Sequence, residues 1–456
     1  MRRRDFLQIG GLGVMSALAS MTTGYRGFSE EMADQTLKVG LIGTGWYGKS
    51  DLLKVLQVAP VEVVALCDVN RQHLEGAGEL AAARQVSKKV PKLYEDWRAM
   101  LDAEEFDLML VDTPDHQHAL PGIEAMRRGI DLFVQKPIGV DVVECQALVR
   151  TAREMNRVCQ VGLQRRGTHH LIDMKEKIID SGRLGQVTQV DIYTYYGMGD
   201  VFEEPCEVPD WFNFDLWTGP APIRPFYQML TDRRWRSFFE YGNGTLGDMG
   251  VHMFDMTRWL LGLGWPKRIT SVGGRYVFTK GIQNIPDTQT VVFDYENLQV
   301  VWNHRWAGRL PDERHPWGAY LYGTEGTLKA SVFGWDFLPK DRSQPTESGE
   351  VLYQFDLFPE DANEDPSLHI EKHTSEGMRT LMRDFIRQHN ERGRCISDIE
   401  EGAISTACCV LGNISMNLGQ TLSYDPATGL TDSSEANALL ARPYRQGWTH
   451  PQGGPF

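Results

Sequence analysis

The sequence predicts an α/β protein: a doubly wound parallel sheet followed by a second α/β domain with a large open mixed or antiparallel sheet. Three observations carry this. From Lys38 to about residue 162, short apolar runs alternate with helical stretches, which calls for parallel strands joined by crossovers. Beyond that point, strands of alternating β-branched and aromatic residues take over. Finally, G-x-G-x-x-G at 43–48 stands where the first strand meets the first helix.

Lys38–Ile42 is an apolar run bounded by glycine, as a buried parallel strand requires. Gly43 permits a tight turn, Gly45 lets backbone approach a pyrophosphate, and Gly48 lets helix pack on strand. Ser50–Val58 reads as the helix, its N-terminal N–H groups aimed at the anion. Val61–Leu66 is the second strand. Asp68 closes it, 20 positions after Gly48, where a carboxylate can accept both ribose hydroxyls of an adenosine. A glycine-rich turn in any α/β domain explains the glycines but leaves the spacing to Asp68 unexplained. The arrangement points to a Rossmann dinucleotide-binding domain over residues 37–162.

Glu75–Arg84 and Tyr94–Leu101 read as helices. Phe106–Val111 is a buried strand ending in the polar turn Asp112-Thr113-Pro114-Asp115-His116-Gln117-His118, and such turns carry ligand contacts in open α/β sheets. His118–Arg127 is a helix, and Gly129–Val134 a strand closed by Gln135-Lys136-Pro137. Val143–Met155 is a helix and Val158–Gly162 a strand. The second domain spans 163–423. It opens with a helix at His170–Ser181 and a half-buried strand at Val187–Tyr196. Residues 199–246, rich in Pro, Gly and Trp, read as a long ordered loop, and Met253–Leu261 as a helix stopped by Gly262. Strands follow at Arg268–Val272, Thr288–Tyr295, Gln299–Trp306, Gly318–Gly323 and Thr327–Ser331. Asp341–Ser367 reads as an acidic surface excursion, Gly377–Gln388 and Ile399–Leu418 as helices, and 424–456 as an irregular tail.

Composition is that of an ordinary globular chain, with 41% hydrophobic and 24% charged residues among 456. The net charge of −14 argues against a nucleic-acid partner, because phosphate binding needs a basic face. Residues 1–36 are read as a signal peptide and linker. Arg3-Arg4-Asp5-Phe6-Leu7 matches the twin-arginine export pattern, and Ala17-Leu18-Ala19 offers a cleavage site. The apolar run at 9–19 is too short to span a bilayer, so the expectation is passage through the twin-arginine machinery to the periplasm with no membrane anchor after processing. Seven cysteines without C-x-x-C spacing argue against a disulfide framework or a zinc cluster.

Lys136 follows a parallel strand, at the edge where a nicotinamide should arrive; a cation there can polarise a hydroxyl, although a surface lysine before a proline would look the same. Asp248 and His252 are four apart and share a face if a helix begins near Asp248. A His beside a carboxylate is a common proton acceptor, and helix capping by Asp248 is compatible with that. A metal site would add His116 or His118, but D-x-x-x-H is a poor metal motif, and none is expected. Ten of the twelve tryptophans lie after residue 200, among them Trp211, Trp217, Trp235, Trp302, Trp306 and Trp317; flat aromatic faces suit sugar C–H faces, and also ordinary cores. Arg165 and Arg166 could hold an anionic or hydroxyl-rich group, or be a solvated pair.

GTGWYG at 43–48, TPDHQH at 113–118, QKP at 135–137, GLQRR at 162–166, LWTGPAPIRPF at 216–226, GDMGVHMFD at 247–255 and YGTEGTL at 322–328 together resemble the Gfo/Idh/MocA oxidoreductases, over roughly Leu37 to Gln420. The resemblance implies a nicotinamide-binding domain and a second domain whose open sheet packs on another subunit, hence a homo-oligomer, dimer or tetramer. It implies that Lys136, Asp248 and His252 are catalytic; these three, together with Arg165 and Trp235, are the residues expected to bind substrate. The implied cofactor contacts are Gly43, Thr44, Gly45, Trp46, Tyr47, Gly48, Asp68, Thr113, Pro114, His118, Gln135, Lys136 and Gln164. Gln135 departs from the family's usual Glu and removes a negative charge beside Lys136. Asp68 favours NAD, since a 2′-phosphate would meet a carboxylate, while Arg71 keeps NADP open.

The expected elementary step is hydride transfer from a sugar or cyclitol C–H, with His252 taking the hydroxyl proton, Asp248 orienting His252 or binding substrate, and Lys136 stabilising the oxygen. An exported enzyme has no replenished pool of nicotinamide, so the cofactor should be tightly held and recycled by the substrates. Either a second carbonyl compound reoxidises it, or one substrate is oxidised, loses a glycosidic group and is reduced again. The second scheme needs another base, for which Tyr195, Tyr196 and His304 are candidates. A non-catalytic sugar-binding protein is a third reading, which intact Lys136, Asp248 and His252 disfavour.

Overall fold

The computed structural model describes Met32 and residues 36–456, apart from 198, 311, 364–367 and 369. The twin-arginine segment and its cleavage site lie outside the described residues.

The first sheet is wholly parallel. Its strands are β1 (Lys38–Ile42), β2 (Glu62–Cys67), β3 (Lys92–Tyr94), β4 (Leu108–Val111), β5 (Asp131–Val134) and β6 (Cys159–Val161), in the order β3-β2-β1-β4-β5-β6. Helices α1 (Trp46–Val58), α2 (Arg71–Arg84), α3 (Trp97–Ala103), α4 (Ala119–Arg127) and α5 (Val142–Glu154) connect them. Every residue of β4 and β5 is buried, as a sheet covered on both faces demands. The reversal of strand order lies between β1 and β4, so the turns after them open one crevice at the carboxyl ends. The short edge strand β3 was not apparent in the sequence, because Lys92 and Leu93 are exposed and give no buried apolar run.

After α6 (His169–Met174), which continues as a π-helix over Lys175–Asp180, the chain enters an eight-stranded sheet. Its strands are β7 (Val187–Thr194), β8 (Arg268–Gly274), β9 (Thr288–Asp294), β10 (Gln299–Arg305), β11 (Gly318–Gly323), β12 (Gly326–Ser331), β13 (Gly334–Pro339) and β14 (Glu347–Glu350). The order is β14-β13-β12-β11-β7-β10-β9-β8, antiparallel except for the parallel pair β7 and β10. Two strands, β13 and β14, exceed the expectation. Part of the predicted acidic excursion is β14, which pairs with β13, and the buried Trp335 and Phe337 of β13 hold that edge on the core. Helices α6, α8 (Val251–Leu261) and α10 (Ile399–Leu418) share one apolar core with the inward residues Val291, Phe293, Val300 and Trp302. The other face leaves Thr290, Val292, Val301, Tyr320 and Tyr322 only half-buried.

Residues 199–246 form the expected irregular stretch, with α7 (Phe214–Thr218) and two short 3₁₀ turns. It carries a core of its own, in which Phe212, Trp217, Phe226, Tyr227, Trp235, Phe238 and Tyr241 pack together.

Packing crosses the boundary expected near residue 162. Helix α9 (Ser375–Glu391) lays Met378, Leu381, Met382 and Phe385 against Leu52, Leu53 and Leu56 of α1. Arg166 is buried and does not form a solvated pair with Arg165. It donates to both oxygens of Asp255 at 2.9 Å and to Glu401 at 2.9 Å, while Ser405 donates to Asp255 at 2.9 Å. This network ties the end of the first sheet to α8 and α10. Arg166→Ala should therefore leave Asp255 buried and poorly paired, lowering unfolding free energy by about 3–5 kcal/mol in urea titrations. A loss below about 1 kcal/mol would show that the network does not hold the domains together.

Candidate functional site

At the carboxyl end of the first sheet lies a cavity of about 420 Å³, running from β2 and α3 across to α8. The glycine loop forms its floor. Gly43 has φ +92°, and a Cβ there would meet the Asp112 carbonyl at 2.6 Å; a Cβ on Gly48 would sit 1.9 Å from the Gly43 oxygen. Packing alone therefore demands those two glycines. At Gly45 a Cβ would meet nothing nearer than His73 Nδ1 at 3.8 Å, so the space over it is free for a ligand. Helix α1 starts at Trp46, four residues earlier than expected, and its N-cap Gly45 supplies no side-chain cap. The positive end of the helix dipole thus lies beside cavity-lining Gly45, Trp46 and Tyr47. Open backbone over Gly45 at a helix N-terminus fits a pyrophosphate.

Asp68 faces the same cavity. Its Oδ2 accepts from the Thr44 amide at 2.6 Å and the Thr44 hydroxyl at 3.1 Å, and Oδ1 accepts from the Asn70 amide at 2.8 Å. For Asp68 to accept both ribose hydroxyls, the rotatable Thr44 hydroxyl must release it. Thr44 and Gly48 do not line the cavity; they fix the shape of what does. Arg71 is exposed and off the cavity wall, whereas Asp68 lines it.

Thr113, Pro114, His118, Gln135, Lys136 and Gln164 all line the cavity, on the turns after β4, β5 and β6. His118 is wedged between the carbonyls of Pro137 and Thr113, at 2.6 and 2.7 Å. Burial pulls it down to about 4, so the neutral ring donates to one of them at a time and holds the two turns together. Gln135 donates to Asp51 at 2.5 Å. Burial pushes Asp51 up to about 7 and Asp112 well above the usual carboxylate range, and the charge of Asp51 raises Asp112 further. An amide at position 135 gives this carboxyl pair a donor, where a glutamate would add a third acid.

Lys136 Nζ lies 3.0 Å from Asp248 Oδ1 and 3.0 Å from the Asp248 carbonyl. Arg236 forms a second ion pair with the same oxygen at 3.2 Å. Burial would raise the Asp248 carboxyl, but Lys136 and Arg236 outweigh it and hold the group at about 2. The expected orientation of His252 by Asp248 is absent. Asp248 belongs to a π-helical turn, Leu246–Gly250, which ends before α8 begins, and its carboxylate turns to the two cations. His252 lines the cavity edge-on to Trp317, at 5.5 Å between ring centres. Its Nδ1 is buried without a partner, which leaves Nε2 as the nitrogen open to a substrate. Burial, reinforced by the charges of Lys136 and Arg165, keeps it neutral far below the usual histidine range.

Trp235 lines the cavity as expected. Arg165 stands behind the wall: it is buried, its guanidinium lies 5.0 Å from the Trp317 ring centre, and none of its three nitrogens has a partner. Of the three candidate second bases, Tyr196 lines the cavity, while Tyr195 stacks on Tyr193 and buried His304 meets the Tyr196 carbonyl at 2.6 Å. The structure adds Asp115, Arg236 and Glu371 to the wall. Arg236 sits in an aperiodic loop and Glu371 in an acid-rich stretch, so neither had a pattern to single it out.

Residues 37–163 match a family described as oxidoreductases with an NAD-binding Rossmann fold, and residues 170–270 match the C-terminal α/β domain of the same family. The chain is 29% identical over 157 residues to inositol 2-dehydrogenase of Salmonella typhimurium, covering 34% of this chain and 45% of that protein. It is 29% identical over 131 residues to a glycosyl hydrolase family 109 protein of a Shewanella species, covering 28% of each. An oxidoreductase from Agrobacterium radiobacter, solved with NAD+, L-tartaric acid and magnesium, shares the fold with a TM-score of 0.63 and 16% identity, covering 85% of this chain and 98% of that one.

Two outcomes test the cradle. Gly45→Ala should fold with an unchanged melting temperature yet bind nucleotide more weakly by calorimetry, whereas Gly48→Ala should fail to fold stably. Asp51 binds its proton more tightly folded than unfolded, so the native protein loses stability as pH rises from about 4 to about 7. Asp51→Asn should match it near pH 4 and melt higher at pH 7.

Proposed function

Because the chain belongs to the Gfo/Idh/MocA oxidoreductase family, we propose that it oxidises or reduces a sugar, sugar-derivative or cyclitol carbon, using NAD held in the cavity described above. The observation that carries the proposal is the shared cavity: Gly43, Gly45, Trp46, Tyr47 and Asp68 line one end, and Lys136, Asp248 and His252 the other. Gly45 and the α1 N-terminus would hold the pyrophosphate, Asp68 the adenosine ribose, and the turns at Thr113–Pro114 and Gln135 the nicotinamide end. A nicotinamide held there would supply the hydride acceptor or donor.

The chain's own residues do the proton work. Lys136, fixed by Asp248, donates to the reacting oxygen and favours its developing negative charge. His252, neutral across ordinary pH, accepts the hydroxyl proton at Nε2. Asp248 serves by holding Lys136, with Arg236 as a second anchor. Trp235 and Trp317 offer flat faces to a ring, and Arg165 beneath Trp317 keeps positive potential on His252.

The twin-arginine pattern adds that the enzyme is exported with its cofactor in place, which requires nanomolar binding or better, about −12 kcal/mol. The half-buried outer face of the second sheet would be covered by another copy. A second reading, redox-neutral glycoside cleavage, draws support from Tyr196 and Glu371, which line the same cavity as His252 and could supply a further base.

Purified protein given candidate sugars singly should show growth or loss of the reduced-nicotinamide band. Aglycone release from aryl glycosides without net change in that band selects the second reading. Lys136→Ala should lower kcat by about 10²–10³-fold; full turnover in that variant removes the assignment. Since His252 is held neutral, the acid limb of the pH–rate profile should fall below the usual histidine value of 6.5.

A further inference from the structure

Beyond Asp68 the cavity continues away from Lys136, into a chamber walled by Val69, Asn70, His73, Glu95, Trp97 and Trp448. Trp448 comes from the C-terminal tail, more than three hundred residues from the rest of that wall. Both tryptophans are half-buried, and the Arg98 guanidinium lies 5.8 Å from the ring centre of Trp97 and 5.2 Å from that of Trp448.

The tail that delivers Trp448 is pinned on both sides of it. Before it, Tyr444 donates to Glu144 at 2.6 Å, and Arg445 donates to the Asp215 carboxylate at 2.7 Å and its carbonyl at 2.8 Å. After it, His450 Nε2 meets Asp141 at 2.8 Å, Arg150 donates to the Gly453 carbonyl at 2.7 Å, and Gly454 donates to Gln146 at 3.2 Å. On the far side of the chamber, Arg71 donates its amide to the Trp211 carbonyl and Asn213 donates to Val69, both at 2.9 Å, so the 211–213 loop closes on the end of β2.

We propose that Trp97 and Trp448 form a purine subsite, with the C-terminal tail acting as a strap that presses Trp448 against the adenine of the dinucleotide. The inference rests on the reading of NAD at the glycine loop and deepens it. A ribose on Asp68 places its base in this chamber. A flat aromatic wall stacks on a purine, and the Glu95 carboxylate at the same wall, one oxygen of which already accepts from Asn213 at 3.1 Å, keeps the other for an exocyclic amine while repelling a further phosphate. A strap anchored to α5 and to the 211–220 region must detach before the adenosine end can leave, which slows release.

Calorimetry on protein freed of nucleotide by charcoal tests this with three probes: NAD, ADP-ribose and nicotinamide mononucleotide. Trp448→Ala should weaken NAD and ADP-ribose by the same factor, roughly tenfold to a hundredfold, and leave nicotinamide mononucleotide unchanged. Trp448→Phe should recover most of the loss, and equal melting temperatures for the free proteins would show that both variants fold. Unchanged ADP-ribose affinity in Trp448→Ala overturns the subsite, as does equal weakening of all three probes, which would mean a distorted groove. If the unaltered protein binds neither NAD nor ADP-ribose, the dinucleotide reading itself fails, an outcome distinct from both.

Discussion

The contact between Lys136 and Asp248 is the constraint on which the site depends. It joins a turn at the edge of the parallel sheet to a π-helical turn of the second domain, 112 residues apart. Neither charge is well solvated, and a buried ion pair is tolerated only when its remaining bonds are filled. Here the Asp248 backbone carbonyl also receives Lys136, and Arg236 adds a second cation at the same carboxylate oxygen. The lysine is thus held in one place at the point where the crevice meets α8. The same cluster of cations sets the state of His252. Its basicity is governed by field and burial, with no carboxylate behind the ring.

Around this junction the protein separates two electrostatic settings. At the chemical end, Lys136, Arg236 and Arg165 lie near Asp248 and Glu371, so charge is present and nearly matched. Beneath the glycine loop, burial pushes the carboxyls of Asp51 and Asp112 up, and Gln135 donates to Asp51. The second setting favours a neutral floor under an anionic ligand. A fully ionised pair there would oppose a pyrophosphate resting on Gly45.

The enclosure is built late in the chain. Helix α9 completes the packing of α1, α10 wedges between α5 and β8, and the tail crosses back over α5 to reach the cavity. Few of these segments announce the role in local pattern. An amphipathic helix shows that it has an apolar face, and nothing in it says which sheet that face will meet.

The sequence by itself determined the parallel alternation through residue 162, the two structurally obligatory glycines, the polar turns after β4 and β5, and the helix at 399–418, whose bounds coincide with the structure. These are features of short range: hydrophobic period, turn chemistry and fixed spacing act within a few residues, so they are written locally. Only tertiary structure decided that Asp248 serves Lys136 instead of His252, that Arg166 is a strut and Arg165 a buried unpaired cation, that Glu371 and Arg236 reach the wall, and that Trp448 closes the far end. Each of those depends on which surfaces meet when separate elements bury their apolar faces together. That choice is set by the summed packing of the whole chain, and no window of the sequence contains it.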